Sequence, residues 1–125
     1  MSTQRLDQFS NQRYLNLESY RKNGTPVATP LWFAVKDQRF FIYSIADAGK
    51  VKRIRNNPKV RIMPCDVRGK PKGEWVEANA RVVDERGAAL GHDLLNQKYR
   101  WMKRLGDAFS RFMGRQRVVI ALDLI

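Results

Sequence analysis

Basic side chains crowd one short stretch of this chain. Lys50, Lys52, Arg53 and Arg55 follow the turn Ala46-Asp47-Ala48-Gly49, rich in small residues, which follows the run Phe40-Phe41-Ile42-Tyr43-Ser44 and Ile45. The aromatic and β-branched run reads as a strand. The small residues read as a turn, and the basic segment as a short helix stopped by Asn56-Asn57-Pro58. Val60 and Ile62 then alternate with Lys59 and Arg61, the pattern of a returning strand. A strand that feeds a helix N-terminus through a small-residue turn can bind an anion. Free backbone N–H groups and the helix dipole face outward there, and small side chains let a phosphate come close. A solvated basic face has the same pattern, and spacing alone leans toward that plainer reading.

Little else in the chain offers chemistry of its own. Cys65 is the single cysteine and His92 the single histidine. That argues against an intrachain disulfide, a Cys/His metal site and a Cys–His catalytic pair. Cys65 is expected as a packed wall residue, and its solitude fits a cytoplasmic setting. No apolar run approaches the ~20 residues that cross a bilayer, and Met-Ser-Thr-Gln-Arg lacks the apolar region of a signal peptide. The 125 residues, 43% of them hydrophobic, suffice for one domain with a real core. A formal net charge of +12 points to an anionic partner: nucleic acid, an acidic membrane surface or a polyanionic cofactor. Between Lys50 and Lys72 the only acid is Asp66.

The elements that must position these residues are mostly strands. Leu6 and Phe9 are spaced as one face of a short helix over Ser2–Ser10. Tyr14–Arg21 alternates as a first strand, and Asn23-Gly24 marks a tight turn. The second strand covers Pro26–Lys36, with an edge or bulge near Pro30. Asp37-Gln38 turns the chain into a third, Arg39–Ile45. After the basic helix and the strand from Lys59 comes a loop rich in Gly, Pro and Lys, Asp66–Gly73. A strand follows over Trp75–Asp84, with Val76, Ala78, Ala80 and Val82 on one face. From Gly87 to Met113 the apolar residues recur at a helical period, divided near Gly106 and stopped at Gly114. Val118–Ile125 closes the chain as an apolar strand, expected to be buried on both faces or in an interface.

Tyr43-Ser44, six residues to Lys50, six more to Asn56-Asn57-Pro58 and then an alternating strand resembles the flavin-phosphate segment of the pyridoxamine-phosphate-oxidase-like split barrels. Met63-Pro64-Cys65-Asp66-Val67-Arg68-Gly69 resembles the subgroup that uses the deazaflavin coenzyme F-420. The resemblance runs from about Tyr14 to Ile125. It implies one domain over residues 1–125, mainly β: a six-stranded antiparallel Greek-key split barrel with helices after the third and fifth strands. It also implies a homodimer with cofactor slots at the subunit boundary.

The cofactor implied is FMN or F-420. Ser44 and Lys50 fall on the phosphate-contacting hydroxyl and lysine, beside Tyr43. Thr29, Pro30, Leu31 and Trp32 fall on the strand that runs along the ring. The chain departs from the oxidase pattern at Gly49 and Thr29, where the oxidase carries arginines; Lys52 is expected to supply missing charge. Arg55, with Arg68, Lys70 and Lys72, would line the groove for the acidic tail of F-420, or else serve solubility. Flavins and deazaflavins carry hydride chemistry themselves, so no catalytic side chain is assigned and no metal is required. The implied activity is an oxidoreductase acting on a small organic substrate. The alternatives are a flavin-binding module without turnover and a basic nucleic-acid-binding domain. The last lacks an RNP aromatic signature or a Gly-X-X-Gly clamp.

Overall fold

The computed structural model describes residues 6–45, 49–83, 89–91, 93–95, 97–98 and 117–125. Six strands appear: β1 (Tyr14–Tyr20), β2 (Pro26–Lys36), β3 (Arg39–Ile45), β4 (Lys59–Cys65), β5 (Val76–Val82) and β6 (Arg117–Leu124). They close into a barrel in the order β1-β2-β3-β6-β5-β4. Every neighbouring pair is antiparallel, and the step from β3 to β6 makes the Greek key. One helix, α1 (Gly49–Asn56), follows β3, and helical turns within 89–98 follow β5. The expected split-barrel architecture is therefore the observed one. The turn residues 46–48, His92 and the helical period beyond residue 98, with Gly106 and Gly114, lie outside the described residues. No helix among the described residues is long and apolar enough to cross a membrane.

Alternation along each strand sends one set of side chains inward. Leu15, Phe33, Ile42, Ile62, Ala78 and Leu122 are among those filling the barrel, all within 1% of complete burial. Two plugs close its ends. At the end where β3 starts, Phe9 inserts with its ring 4.8 Å from that of Phe40 and 5.8 Å from that of Phe33. At the end where β3 finishes, α1 seats Val51 and Ile54 in the same core.

β6 is apolar because it is covered on both faces within one chain. Ile120 and Leu122 face the core, while Val119 and Ala121 face outward beneath the helical turns after β5. A side chain at Gly91 would collide with Val119, so glycine allows that close approach.

The hairpins differ from each other. Asp37 and Gln38 both take positive φ, 53° and 67°, giving the tight two-residue loop between β2 and β3. At Asn23-Gly24 only Gly24 does, at 88°. There the Gly24 N–H donates to the Arg21 carbonyl and the Arg21 N–H to that of Thr25, a longer loop than the dipeptide suggests. After β4, Asp66 organises its loop by accepting the N–H groups of Arg68 and Lys70 at 2.8 and 2.9 Å. Asn16 ties the loop to β1 through the Gly69 carbonyl at 3.0 Å. Burial first, then Asp66, pushes the Cys65 thiol up to about 11, as suits a packed wall residue rather than a nucleophile.

Candidate functional site

The ladder between β2 and β3 covers only Phe33–Lys36 against Arg39–Ile42. Continued one step it would set Trp32 against Tyr43, and one further, Leu31 against Ser44; neither pair forms a rung of this ladder. Instead β2 stays with β1 as far as Tyr20↔Pro26, and β3 stays with β6 as far as Ile45↔Arg117. The two strands part as a wedge. Pro30, which has no amide to donate, sits in the parted half.

The wedge opens toward α1, since β3 runs into that helix and Val27 of β2 pairs with Ser19, which α1 touches. Six of the residues singled out in the sequence therefore flank one cleft: Thr29, Pro30, Leu31 and Trp32 on one side, Tyr43 and Ser44 on the other. Trp32 and Tyr43 share the outer face and pack with Ala34 and Leu95, whereas Ser44 is buried at 6% exposure. Thr29 pairs with Leu17 and shares the inner strand face with Ser19.

At the open end stands the first turn of α1, and the helical period sorts its cations. Val51 and Ile54 face the core, so Lys50 and Arg53, three apart, share one flank. Lys50 is half-buried; burial first, and then Arg53, lower its pKa below the ordinary lysine value. Arg53 leans toward the helix N-terminus, as helical side chains do, and its Nε donates to Ser19 Oγ at 2.7 Å. Its guanidinium lies over Gly49, where a Cβ would come within 2.8 Å of Nη1. Burial first, and then Arg21, lower the Arg53 pKa.

Lys52 and Arg55 are not brought to this cluster. Both are exposed, and Arg55 borders a separate cavity of about 580 Å³ with Pro58, Arg81 and Val83. The cation over Gly49 is Arg53 rather than Lys52. In the sequence Arg53 is one of four cations of the basic run with no cofactor role of its own, and Ser19 is a strand residue not singled out. The three-residue spacing of Arg53 from Lys50 was the available signal, but the tether to Ser19, 34 residues away, had none.

Elsewhere on the barrel wall two arginines are matched by acids. Arg61 meets Glu18 at 2.7 Å and stacks on Trp75 at 4.8 Å, and Arg39 meets Asp123 at 2.7 Å. Among the described residues no carboxylate pairs with Lys50 or Arg53. Half-buried cations with no counter-ion among the described residues fit the phosphate of a flavin-type group, so the residues present suit that cofactor class.

Comparison with known proteins agrees with this geometry. The family model described as pyridoxamine 5'-phosphate oxidase matches residues 2–124. An F420 reductase is similar in fold at 21% identity and a TM-score of 0.61, over 95% of this chain and 91% of that one. A FAD-binding protein from Mesorhizobium loti is similar at 17% identity and a TM-score of 0.64, over 99% and 87%. HutZ, a haem storage protein from Vibrio cholerae, is similar at 17% identity and a TM-score of 0.70, over 98% and 88%. Comparison with curated proteins returned no match. With nearly its whole length matched by the family model, the chain belongs to the pyridoxamine 5'-phosphate oxidase family.

Proposed function

We propose that this protein is a flavin- or deazaflavin-dependent oxidoreductase, in which the wedge between β2 and β3 receives the ring system and Lys50 with Ser44 holds the phosphate. One observation carries this reading. The strands part over Thr29–Trp32 and Tyr43–Ser44, and the cleft opens onto a half-buried lysine with no carboxylate beside it among the described residues. An F420 reductase and a FAD-binding protein among the similar structures accord with it.

FMN or F-420 would supply the hydride chemistry with a small organic substrate. The chain's own task is then to bind, orient and exclude water. Lys50 offers a charge-assisted bond, stronger than a neutral one because its ammonium is ionised. Trp32 and Tyr43 wall the outer side of the wedge, held by Leu95. We further propose a homodimer that completes the slot at the subunit boundary. Val119 and Ala121 are already covered within one chain, so pairing would use another surface.

Fluorescence titration with FMN and with F-420 tests the reading directly. Saturable binding of either, lost in Lys50→Ala, is the expected result. Absence of binding by both up to about 1 mM would sink it. Anaerobic turnover with a quinone, an enone or a tetrapyrrole such as biliverdin then separates an oxidoreductase from a module that only holds the cofactor.

A further inference from the structure

We propose that Lys98 reaches the apex of the wedge between β2 and β3, where its ammonium faces the bound ring and favours the ring's hydride-reduced form. The inference rests on the reading above for what the wedge holds, and it brings a residue from outside the barrel wall into the site.

The placement comes from contacts. Phe33↔Ile42 is the last rung before β2 and β3 part. The Phe33 ring belongs to the barrel core and is 1% exposed. One residue further along each strand, Trp32 and Tyr43 flank the opening, and both pack with Leu95 on the outer face. Lys98 stands three residues after Leu95 in the helical turns that follow β5, hence on the same side of those turns. Its Nζ lies 3.6 Å from the centroid of the Phe33 ring. An ammonium carried outside the wall thus touches a ring packed inside it, and the parted strands are the opening beside that ring.

Charge then decides what the residue does. Lys98 is exposed as a whole, but its ammonium is partly withdrawn from water against Phe33, and that burial lowers its pKa to about 8. The negative face of an aromatic ring attracts a cation, the more so where water is excluded. Thr29 lies four residues, roughly 13 Å of strand, nearer α1 than Phe33 does. Lys50 at α1 and Lys98 at the apex would therefore meet opposite ends of one ligand. A hydride moved from a small organic donor to a neutral ring such as that of FMN carries two electrons and one proton. It leaves the donor oxidised and the ring with one negative charge. A cation within about 4–6 Å favours that charged form over the neutral one.

Two variants separate charge from packing. Lys98→Met keeps an apolar stem over Phe33 and removes the charge, and Lys98→Arg keeps the charge. Each is titrated beside wild type with FMN and with F-420, oxidised and dithionite-reduced, and the midpoint potential of the bound cofactor is measured. Lys98→Met should hold oxidised FMN within about twofold of wild type and reduced FMN about tenfold less tightly, the loss expected for one charged contact. For a two-electron couple that tenfold change is about 30 mV, toward more negative potential. Lys98→Arg should keep most of the wild-type potential. Acetylation with an amine-reactive anhydride adds a readout that needs no turnover. Bound cofactor should shield Lys98 and leave Lys70, on the exposed loop after β4, as reactive as before.

A cofactor that binds with the same potential in wild type and Lys98→Met, or that leaves Lys98 unshielded, overturns this inference while the function stands. Equal losses for the oxidised and reduced forms mean packing without charge and overturn it as well. If Lys98→Met does not fold, Lys98→Gln and the shielding of wild type carry the test. A wild type that binds neither FMN nor F-420 removes the functional reading, and this inference with it.

Discussion

Two basic clusters lie at opposite ends of β4, and they differ in kind. At the end nearer α1 stand Lys50 and Arg53, with Arg21 close enough to affect Arg53; at the other, Arg68, Lys70 and Lys72 ride the loop that begins at Asp66. The loop is tied to Asn16 and Arg53 to Ser19, points three residues and roughly 10 Å apart along β1 and on its opposite faces. The loop cations are exposed, and an acid sits at the centre of their loop. The Lys70 N–H first, and that of Arg68, hold the Asp66 carboxyl below its usual range, with Lys72 and Lys70 adding to them. The α1 cations are partly withdrawn from water and repel one another. In sequence the two clusters have nearly the same composition. What separates them is burial with no counter-ion among the described residues, which makes a place that an anion stabilises rather than a surface that water already satisfies.

The comparison depends first on the plug that orients α1. Ile54, 2% exposed, anchors the helix in the barrel core together with Val51. Ile54→Ala should cost about 2–5 kcal/mol of stability by leaving a cavity beneath the helix. It should also loosen the flank that carries Lys50 and Arg53. Denaturant unfolding and FMN titration of one sample check both effects. Full stability with full affinity would mean that α1 is not held by this packing.

Next in size is Lys50→Ala. Removing one charge-assisted bond while the fold stays intact should weaken phosphate-bearing cofactor by roughly ten- to a hundredfold, about 1.5–3 kcal/mol. The thermal midpoint without ligand should stay nearly level or rise slightly, because the lysine is disfavoured by burial and by Arg53 in the folded state. Lys70→Ala, on the exposed loop, serves as the control. Equal losses from the two would reduce the α1 cluster to general electrostatics.

Most of the barrel was legible in the sequence, because alternation and turn chemistry are local. β2 and β3 occupy Pro26–Lys36 and Arg39–Ile45 as read, and β5 is Val76–Val82 within the expected Trp75–Asp84. The covered outer face of β6 was legible as an apolar run but not its cause, since Gly91 and Leu94 reach Val119 from another element. The site was legible only where spacing encodes it. Lys50 and Ser44 stand out by interval, whereas Lys52 and Arg53 look alike in a basic run. Only their angle relative to Val51 and Ile54 tells them apart, and Ser19, which fixes Arg53, comes from a strand 34 residues earlier. The parting of β2 from β3 is a non-local pairing choice that Pro30 hints at but does not determine.

A smaller effect should appear on raising the pH. In the folded protein the Lys50 pKa is lowered by burial and by Arg53, so the unfolded chain holds its proton more firmly. Stability without ligand should therefore rise as pH climbs from the folded value toward the unfolded one. Phosphate binding has the opposite sign, because it favours charged Lys50. Cofactor affinity should begin to fall at lower pH than for an ordinary lysine. Lys50→Arg should flatten that fall through the interval below the ordinary lysine value, since a guanidinium keeps its charge there. Affinities measured across that interval decide it: parallel curves for the two proteins would remove Lys50 from the phosphate.

The smallest effect belongs to the other cluster. Replacing Arg68, Lys70 and Lys72 together by glutamine removes three positive charges from the protein, out of a formal +12. If charge alone drew the ligand, that loss should weaken binding strongly. Local geometry predicts otherwise. The loop's tie to Asn16 and the α1 tie to Ser19 lie roughly 10 Å apart along β1 and on opposite faces, beyond one Debye length at physiological salt, and the loop cations are exposed, so their charge is screened. The loop's own framework should survive, because Asp66 bonds backbone N–H groups and Asn16 a backbone carbonyl, none of which the substitutions touch. FMN affinity at physiological salt should therefore change by less than about twofold, and the thermal midpoint should hold. For F-420 the same variant reads something different. If the loop receives the acidic tail, affinity for F-420 should drop while affinity for FMN does not. A drop for both ligands that added salt abolishes would show the two clusters acting as one diffuse field, and the distinction between them would be gone.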